Sequence, residues 1–180
     1  PVEHYFEVDL SRYLFGKDLL DLGCFNGGRG IAWAERYQLG TLYGIDVDQV
    51  YIDAAAQFAA IRNVNANFRV ARGELLPFDD NSLDAIMSFD VFEHLRDVSR
   101  TLSECYRVLK KGGRLFVIFP SFYQPIEHHL SLGTRLPCVH YLFSSQTLLD
   151  AYCAILDERG SKSDWYRRRN PKLEDWEKGN

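Results

Sequence analysis

An α/β fold built on a doubly wound, mostly parallel sheet is what this sequence predicts, and three observations carry the expectation. Short apolar stretches alternate with longer amphipathic ones between residues 17 and 119. Some of the short stretches, such as Leu115-Phe116-Val117-Ile118-Phe119, are apolar at consecutive positions, as in a strand covered on both faces. The first of them runs through Asp21 into a glycine-rich turn, Gly23-Cys24-Phe25-Asn26-Gly27-Gly28-Arg29-Gly30, that leads into a helix. Glycine suits backbone that takes positive φ or approaches a ligand closely, and a helix starting beyond such a turn offers free N–H groups to an anionic group.

The elements follow in order. Residues 17–23 read as the first strand, 28–38 as a helix and 41–46 as the second strand. That second strand ends in Asp46, about 25 residues beyond Asp21, the usual reach of one βαβ unit, which places Asp46 to grip ribose hydroxyls. Residues 48–62 form an Ala-rich helix opened by Asp48, with Ile52, Ala55, Ala56 and Ala59 on one face. A strand at 66–71, a turn through Pro77-Phe78-Asp79-Asp80-Asn81-Ser82 and a strand at 84–89 come next. A helix at 97–110, closed by Lys110-Lys111-Gly112-Gly113, leads to a fifth strand at 114–119. In such a sheet a ligand sits at the carboxyl ends of the strands, near the point where the strand order reverses.

Residues 120–143 change character, being rich in aromatic residues, His and Pro with no clean period, and read as a substrate-side loop. A helix returns at 144–158, capped by Ser144 or Ser145, with Leu148, Leu149 and Tyr152 facing inward. Residues 159–180 form an uncertain tail, with too few β-branched or alternating positions to build a hairpin. The whole of 1–180 is expected to be a single domain with its core at 15–155, since 180 residues bury one sizeable core and are short for two.

Composition excludes several classes. Net charge is −4 and the sequence pI about 5.7, so no global field attracts a nucleic-acid backbone. The one dense basic run, Arg167-Arg168-Arg169, reads as a solvated face. Cys24, Cys105, Cys138 and Cys153 are widely spaced, with no C-x-x-C and no metal-ligand pattern, which fits reduced thiols in a cytoplasmic protein. No apolar run approaches the ~20 residues of a membrane span. The chain opens on Pro1 rather than Met, which suggests trimming or a piece of a longer protein.

Taken together, the blocks resemble the class I S-adenosylmethionine-dependent methyltransferases, of the methyltransferase type 11-like kind, over roughly residues 15 to 155. Leu-Leu-Asp-Leu-Gly-Cys at 19–24 is similar to the family's nucleotide-binding turn, and Tyr-Gly-Ile-Asp at 43–46 to its ribose-binding strand end. Leu-Pro-Phe-Asp-Asp-Asn-Ser-Leu-Asp at 76–84, Phe-Glu-His-Leu at 92–95 and Arg-Val-Leu-Lys-Lys-Gly-Gly at 107–113 resemble the family's segments around its fourth and fifth strands. The resemblance implies a Rossmann-like fold whose sheet finishes with an antiparallel hairpin, for which residues 159–180 offer too few strand-forming positions. It also implies S-adenosyl-L-methionine as cofactor, bound by Asp21, Gly23, Cys24, Phe25, Gly27, Asp46, Val47, Gly73, Glu74, Phe89 and Asp90. A nicotinamide dinucleotide site would show G-x-G-x-x-G without a preceding carboxylate; Asp21 instead suits a cofactor carrying a sulfonium and an ammonium. The plainer reading of Asp21 is that it ends a strand and caps the next turn.

The chain departs from the family pattern twice. Phe25 stands where a second glycine is usual, so that its ring is expected to crowd the methionine portion or its Cβ to restrict the backbone. Arg72 stands where the family often has an acidic residue accepting the adenine amino group, and Arg offers donors only. Glu74, a backbone carbonyl, or apolar walls such as Leu75 would have to substitute.

Methyl transfer is an in-line displacement that needs positioning and desolvation more than a protein nucleophile. For a hydroxyl acceptor His94 is the first candidate base, with Glu93 beside it and His128, His129 or His140 as substitutes. The plainer reading of Glu93 and His94 is that they cap the following helix or bind backbone. Asp90, Glu93 and His94 resemble a segment that holds a divalent cation in ubiquinone-type O-methyltransferases, which would require this stretch to be helical; we expect no metal here. Phe122, Tyr123, Tyr141 and Phe143 would wall an acceptor pocket or belong to the core. The leading function is methyl transfer to a small-molecule oxygen, nitrogen or carbon, without nucleic-acid or membrane partners. The alternatives are a catalytically inactive binding or scaffold module on the same fold, and a protein or nucleic-acid methyltransferase.

Overall fold

Leu19, Leu20 and Leu22 are buried because β1 (Asp18–Leu22) lies at the centre of a sheet covered on both sides. In the computed structural model, which describes residues 5, 6, 8–121, 123, 125 and 135–158, β1 pairs with β2 (Thr41–Asp46) on one side and β4 (Leu83–Phe89) on the other. β3 (Ala66–Val70) and β5 (Leu109–Ile118) are the outer strands, and the order is β3-β2-β1-β4-β5, every pair parallel. The described residues divide into one unit ending at Ile118 and another starting at Phe119.

In the first unit, residues alternate between two cores, as the period of a strand requires. Leu19, Leu42, Ala85 and Met87 pack with α1 (Leu10–Leu14), α2 (Gly28–Tyr37) and Ala59 of α3 (Gln49–Arg62). Leu20, Leu22, Ile45 and Ile86 pack on the other side with Cys105 and Val108 of α4 (Val98–Val108). Helix starts follow their caps: the Asp48 carboxylate accepts from the Val50 N–H at 2.9 Å and the Asp97 carboxylate from the Arg100 N–H at 2.8 Å.

Three expectations need correction here. The helix before the last strand stops at Val108, and the strand begins at Leu109 rather than 114. Lys110-Lys111-Gly112-Gly113 is a bulge within β5, with Leu83 opposite Leu109 but Ala85 opposite Arg114, and Gly112 at φ +82° allows it. Ala56 is exposed, while Ile52, Ala55 and Ala59 form the buried stripe of α3; one side of a narrow helical stripe is all the sheet edge covers. Helix α1, short and capped by Asp9, has no counterpart in the sequence reading.

In the second unit, α5 (Val139–Leu142) stands inside the segment read as a loop, too short to show a period. It packs with α6 (Ser145–Glu158), where Val139 and Tyr152 are buried with Leu148 against them, and Leu149 is buried as expected. The Ser144 hydroxyl accepts from the Thr147 N–H at 3.3 Å and opens α6. Residues 159–180, including Arg167-Arg168-Arg169, lie outside the described residues. No described helix is long and apolar enough to cross a membrane.

Candidate functional site

Because the strands are parallel, the turns that follow β1, β2, β3 and β4 meet at one edge of the sheet, where the order reverses between β1 and β4. Asp21 lies just inside that edge on the face covered by α2, 1 % exposed. Gly30 of α2 leaves it room, since a Cβ there would stand 2.8 Å from Asp21 Oδ2. Neither carboxylate oxygen has a hydrogen-bond partner. Burial pushes this carboxyl up to about 7, opposed by the Arg29 guanidinium and reinforced by the Asp46 carboxylate. A buried, unsatisfied carboxylate is costly on its own and is relieved by a cation or by protonation.

The turn after β1 is tied to β2. The Gly23 and Cys24 N–H groups both donate to the Ile45 carbonyl at 2.9 Å. Gly23 and Gly27 have φ of +77° and +76°, and each faces protein: a Cβ on Gly23 would collide with the Val91 side chain, and one on Gly27 would stand 2.8 Å from Ala55 Cβ. Their glycine character therefore answers to packing as well as to ligand approach. Cys24 is buried, and burial raises its thiol far above the usual range, so it is no nucleophile.

Phe25 occupies the left-handed region at φ +49°, a conformation that favours glycine and that its Cβ makes costly. Its N–H donates to Asp46 Oδ2 at 3.0 Å, and its ring lies against Tyr51 of α3, with centroids 4.0 Å apart. Asp46 Oδ1 accepts from the Asp48 N–H at 3.2 Å. Two backbone donors thus orient the Asp46 carboxylate and leave it further acceptor capacity for hydroxyls. Val47 beside it is exposed.

After β3, the Ala71 N–H donates to the Asp46 carbonyl at 3.0 Å. Gly73 is buried, Glu74 half-buried, and Arg72 and Leu75 exposed. After β4, Phe89 is buried under the Arg29 guanidinium, 4.9 Å above its ring, and Arg29 Nη2 donates to the Phe89 carbonyl at 3.2 Å. Asp90, at φ +56°, lies 3.8 Å from Arg29 Nη1.

The next turn is a single 3-10 turn over Phe92–His94. His94 Nε2 is 3.9 Å from Glu93 Oε1, with His94 half-exposed and Glu93 mostly buried. Since Asp90 is left-handed and Val91 is non-helical, Asp90, Glu93 and His94 do not share a helical face. Among the described residues no group of three or more His, Cys, Asp or Glu is placed to hold a metal ion.

Asp21, the 23–27 turn, Asp46, Val91 and the 71–74 segment are therefore knit together, with Leu95 Cδ2 3.6 Å from where a Gly73 Cβ would stand. In the second unit, Tyr123, Tyr141 and Phe143 are exposed and the His140 ring lies 4.1 Å from that of Tyr141. Phe122, His128 and His129 lie outside the described residues. Sequence reasoning missed Arg29, Tyr51 and Val91, all within or next to motifs it had marked, because their roles depend on which turns become neighbours.

A family model described as a methyltransferase domain matches residues 20–117, more than half of the chain and every turn at this edge of the sheet. The chain belongs to the methyltransferase domain family. A ubiquinone biosynthesis O-methyltransferase of Coxiella burnetii (strain Dugway 5J108-111) is 33 % identical over 112 residues, 62 % of this chain and 46 % of that protein. A demethylmenaquinone methyltransferase of Thermus thermophilus is 33 % identical over 114 residues, 63 % of this chain and 52 % of the relative. The YcgJ protein of Bacillus subtilis has the same fold, with TM-score 0.60 at 19 % identity, covering 97 % of this chain and 87 % of that one. This methyltransferase-domain chain spans about half the length of the curated relatives it matches. The Rossmann-like, all-parallel arrangement of its first unit is that of the family.

Proposed function

We propose that the chain binds S-adenosyl-L-methionine at the carboxyl edge of β1–β4 and transfers its methyl group to a small-molecule acceptor. The observation that carries this reading is Asp21, a buried carboxylate with two unpartnered oxygens. Its chemistry fits the ammonium of the cofactor's amino-acid end, which would restore the interaction lost on burial. Asp46, already oriented by two backbone N–H groups, would hold the ribose hydroxyls, with Gly23, Cys24, Phe25 and Gly27 forming the bend beneath. Val47, Gly73 and Glu74 would face the base, and Phe89 and Asp90 would close the side next to β4.

The cofactor supplies an activated methyl on a good leaving group. The protein's part is to hold that group in line with the acceptor and to keep water away. For a hydroxyl acceptor His94 would take the proton as the new bond forms, with Glu93, whose carboxylate lies 3.9 Å from the imidazole, favouring the charged ring. The names of the two curated relatives favour a quinone-type or phenolic acceptor. Cysteines left free among the described residues fit a reducing compartment such as the cytoplasm.

Thermal unfolding with S-adenosylmethionine and S-adenosylhomocysteine tests the reading. Either ligand at about 100 times its Kd should add roughly 2.7 kcal/mol of stability. No shift with either would favour a scaffold that has kept the fold without the cofactor.

A further inference from the structure

The glycine-rich turn holds one residue that the cofactor reading leaves without a part. Asn26 is exposed and is followed by Gly27, the one Asn-Gly pair in the sequence. An asparagine amide can be attacked at Cγ by the backbone nitrogen of the next residue, and the side chain of that residue is the usual obstacle. At Gly27 the obstacle is missing, since only glycine lets another group approach its backbone so closely. The other described asparagines are placed differently. Asn63, Asn67 and Asn81 precede Val64, Phe68 and Ser82, and the Asn65 amide donates to the Gly40 carbonyl at 2.8 Å and to Thr41 Oγ1 at 3.3 Å.

The turn favours attack in one respect and restrains it in another. The Gly28 N–H donates to Asn26 Oδ1 at 3.4 Å, which folds the side chain back over the backbone and offers a donor to the oxygen that becomes negative when Cγ turns tetrahedral. The first turn of α2 carries no acidic residue, so a carboxylate formed at position 26 meets no like charge there and gains from the helix dipole. Against this, the Gly27 N–H donates to the Cys24 carbonyl at 2.9 Å, a bond that must open before the nitrogen can attack. We propose that Asn26 is a self-modification site, converted in the folded protein to aspartate and isoaspartate through a succinimide with Gly27. The Gly27 nitrogen gives its proton to hydroxide and bonds to Asn26 Cγ; the Cγ–Nδ2 bond breaks, and Nδ2 takes a proton from water and leaves as ammonia. Water then opens the ring. Cleavage of the new N–Cγ bond leaves aspartate in an unaltered backbone, whereas cleavage at the Asn26 main-chain carbonyl leaves isoaspartate and lengthens by one carbon the loop that the Gly27–Cys24 bond closes. Because attack waits on the opening of that bond, a ligand that tightens the bend slows the conversion. The site goes beyond the cofactor reading and does not depend on it.

Peptide mapping by mass spectrometry of the full chain, aged in mildly alkaline buffer at a temperature where it stays folded, tests the proposal. Position 26 should gain a carboxylate several-fold faster than Asn63, Asn67 or Asn81, with isoaspartate among the products. Asn26→Gln, whose longer side chain closes a larger ring far more slowly, should lose that isoaspartate. Saturating S-adenosylhomocysteine should slow the native conversion several-fold. Conversion at position 26 no faster than at the other three asparagines overturns the proposal, and so does an unchanged isoaspartate yield in Asn26→Gln. Equal rates with the ligand shown by calorimetry to be bound overturn the coupling to the bend. Failure of the ligand to bind the fresh chain overturns the cofactor reading and leaves the modification site standing.

Discussion

The Phe25 N–H donates to Asp46 Oδ2 at 3.0 Å, joining the turn after β1 to the end of β2 through a residue whose φ of +49° would suit glycine better. The ring-to-ring contact with Tyr51 holds the other side of the same residue. Strain and stacking oppose each other here: the left-handed backbone costs about 1 kcal/mol, and the aromatic pair contributes about 0.5–1.5 kcal/mol. Phe25→Ala keeps the strain and loses the stack, whereas Phe25→Gly loses both. Denaturant unfolding should therefore find the Gly variant more stable than the Ala variant by about 1 kcal/mol; the reverse order would mean that the turn relaxes once the ring is gone.

Asp21 gives a pH signature. Its carboxyl is pushed up to about 7 in the fold, against about 4 in an unfolded chain, so between those values the folded protein keeps a proton that the unfolded chain has released. Its contribution to stability is present below pH 4, declines as pH rises through 7 and is gone above. Asp21→Asn removes that decline. Chemical denaturation at pH 4 and pH 8 should show the variant gaining on the native protein by a few kcal/mol (roughly 2–4) between the two. A constant difference would place the titration elsewhere.

Glu104 runs the other way. Arg107 and the Leu76 N–H hold its carboxyl down at about 2, so its stabilisation is full above the ordinary glutamate value and is lost as pH falls from about 4.5 toward 2. Glu104→Gln should cost about 3 kcal/mol at pH 7 and progressively less in acid. Equal costs at pH 7 and pH 3 would show that the pair contributes nothing through charge.

Gly27 combines a φ of +76° with a neighbour, Ala55 Cβ, 2.8 Å from where its own Cβ would be. Gly27→Ala should cost about 2–4 kcal/mol, partly from the backbone and partly from overpacking against α3. Adding Ala55→Gly should recover the overpacking share alone, so a double-mutant cycle should give a favourable coupling of about 1–3 kcal/mol. Zero coupling would assign the whole cost to the backbone.

Much of this architecture is written locally. The span of β2 and the carboxylate at its end follow from six residues, and Asp48 and Asp97 mark their helices by chemistry that acts over two or three positions. What the sequence conceals is chemistry across long separations. The Glu104–Arg107 pair looks like an ordinary i,i+3 surface pair until the helix is laid on a segment some 30 residues earlier, where the two side chains meet the Leu76 backbone at both its N–H and its carbonyl. Val91 is an unremarked aliphatic residue until it is found against Gly23. Lys110-Lys111-Gly112-Gly113 does mark a break, but periodicity cannot tell a helix end from a bulge when the strand resumes its pairing, shifted in register, beyond it. Phe25 was legible as an anomaly, and its resolution onto Tyr51 was not.

The lone carboxylate of Asp21 has one more effect, on the heat of binding. Near neutral pH a fraction of the molecules carry hydrogen on that group, and an ammonium arriving beside it must displace it into the solvent. Association with a cationic guest is therefore an acid-releasing event whose calorimetric enthalpy changes with the ionisation enthalpy of the buffer, so that Tris and phosphate at one pH would register different heats for the same complex.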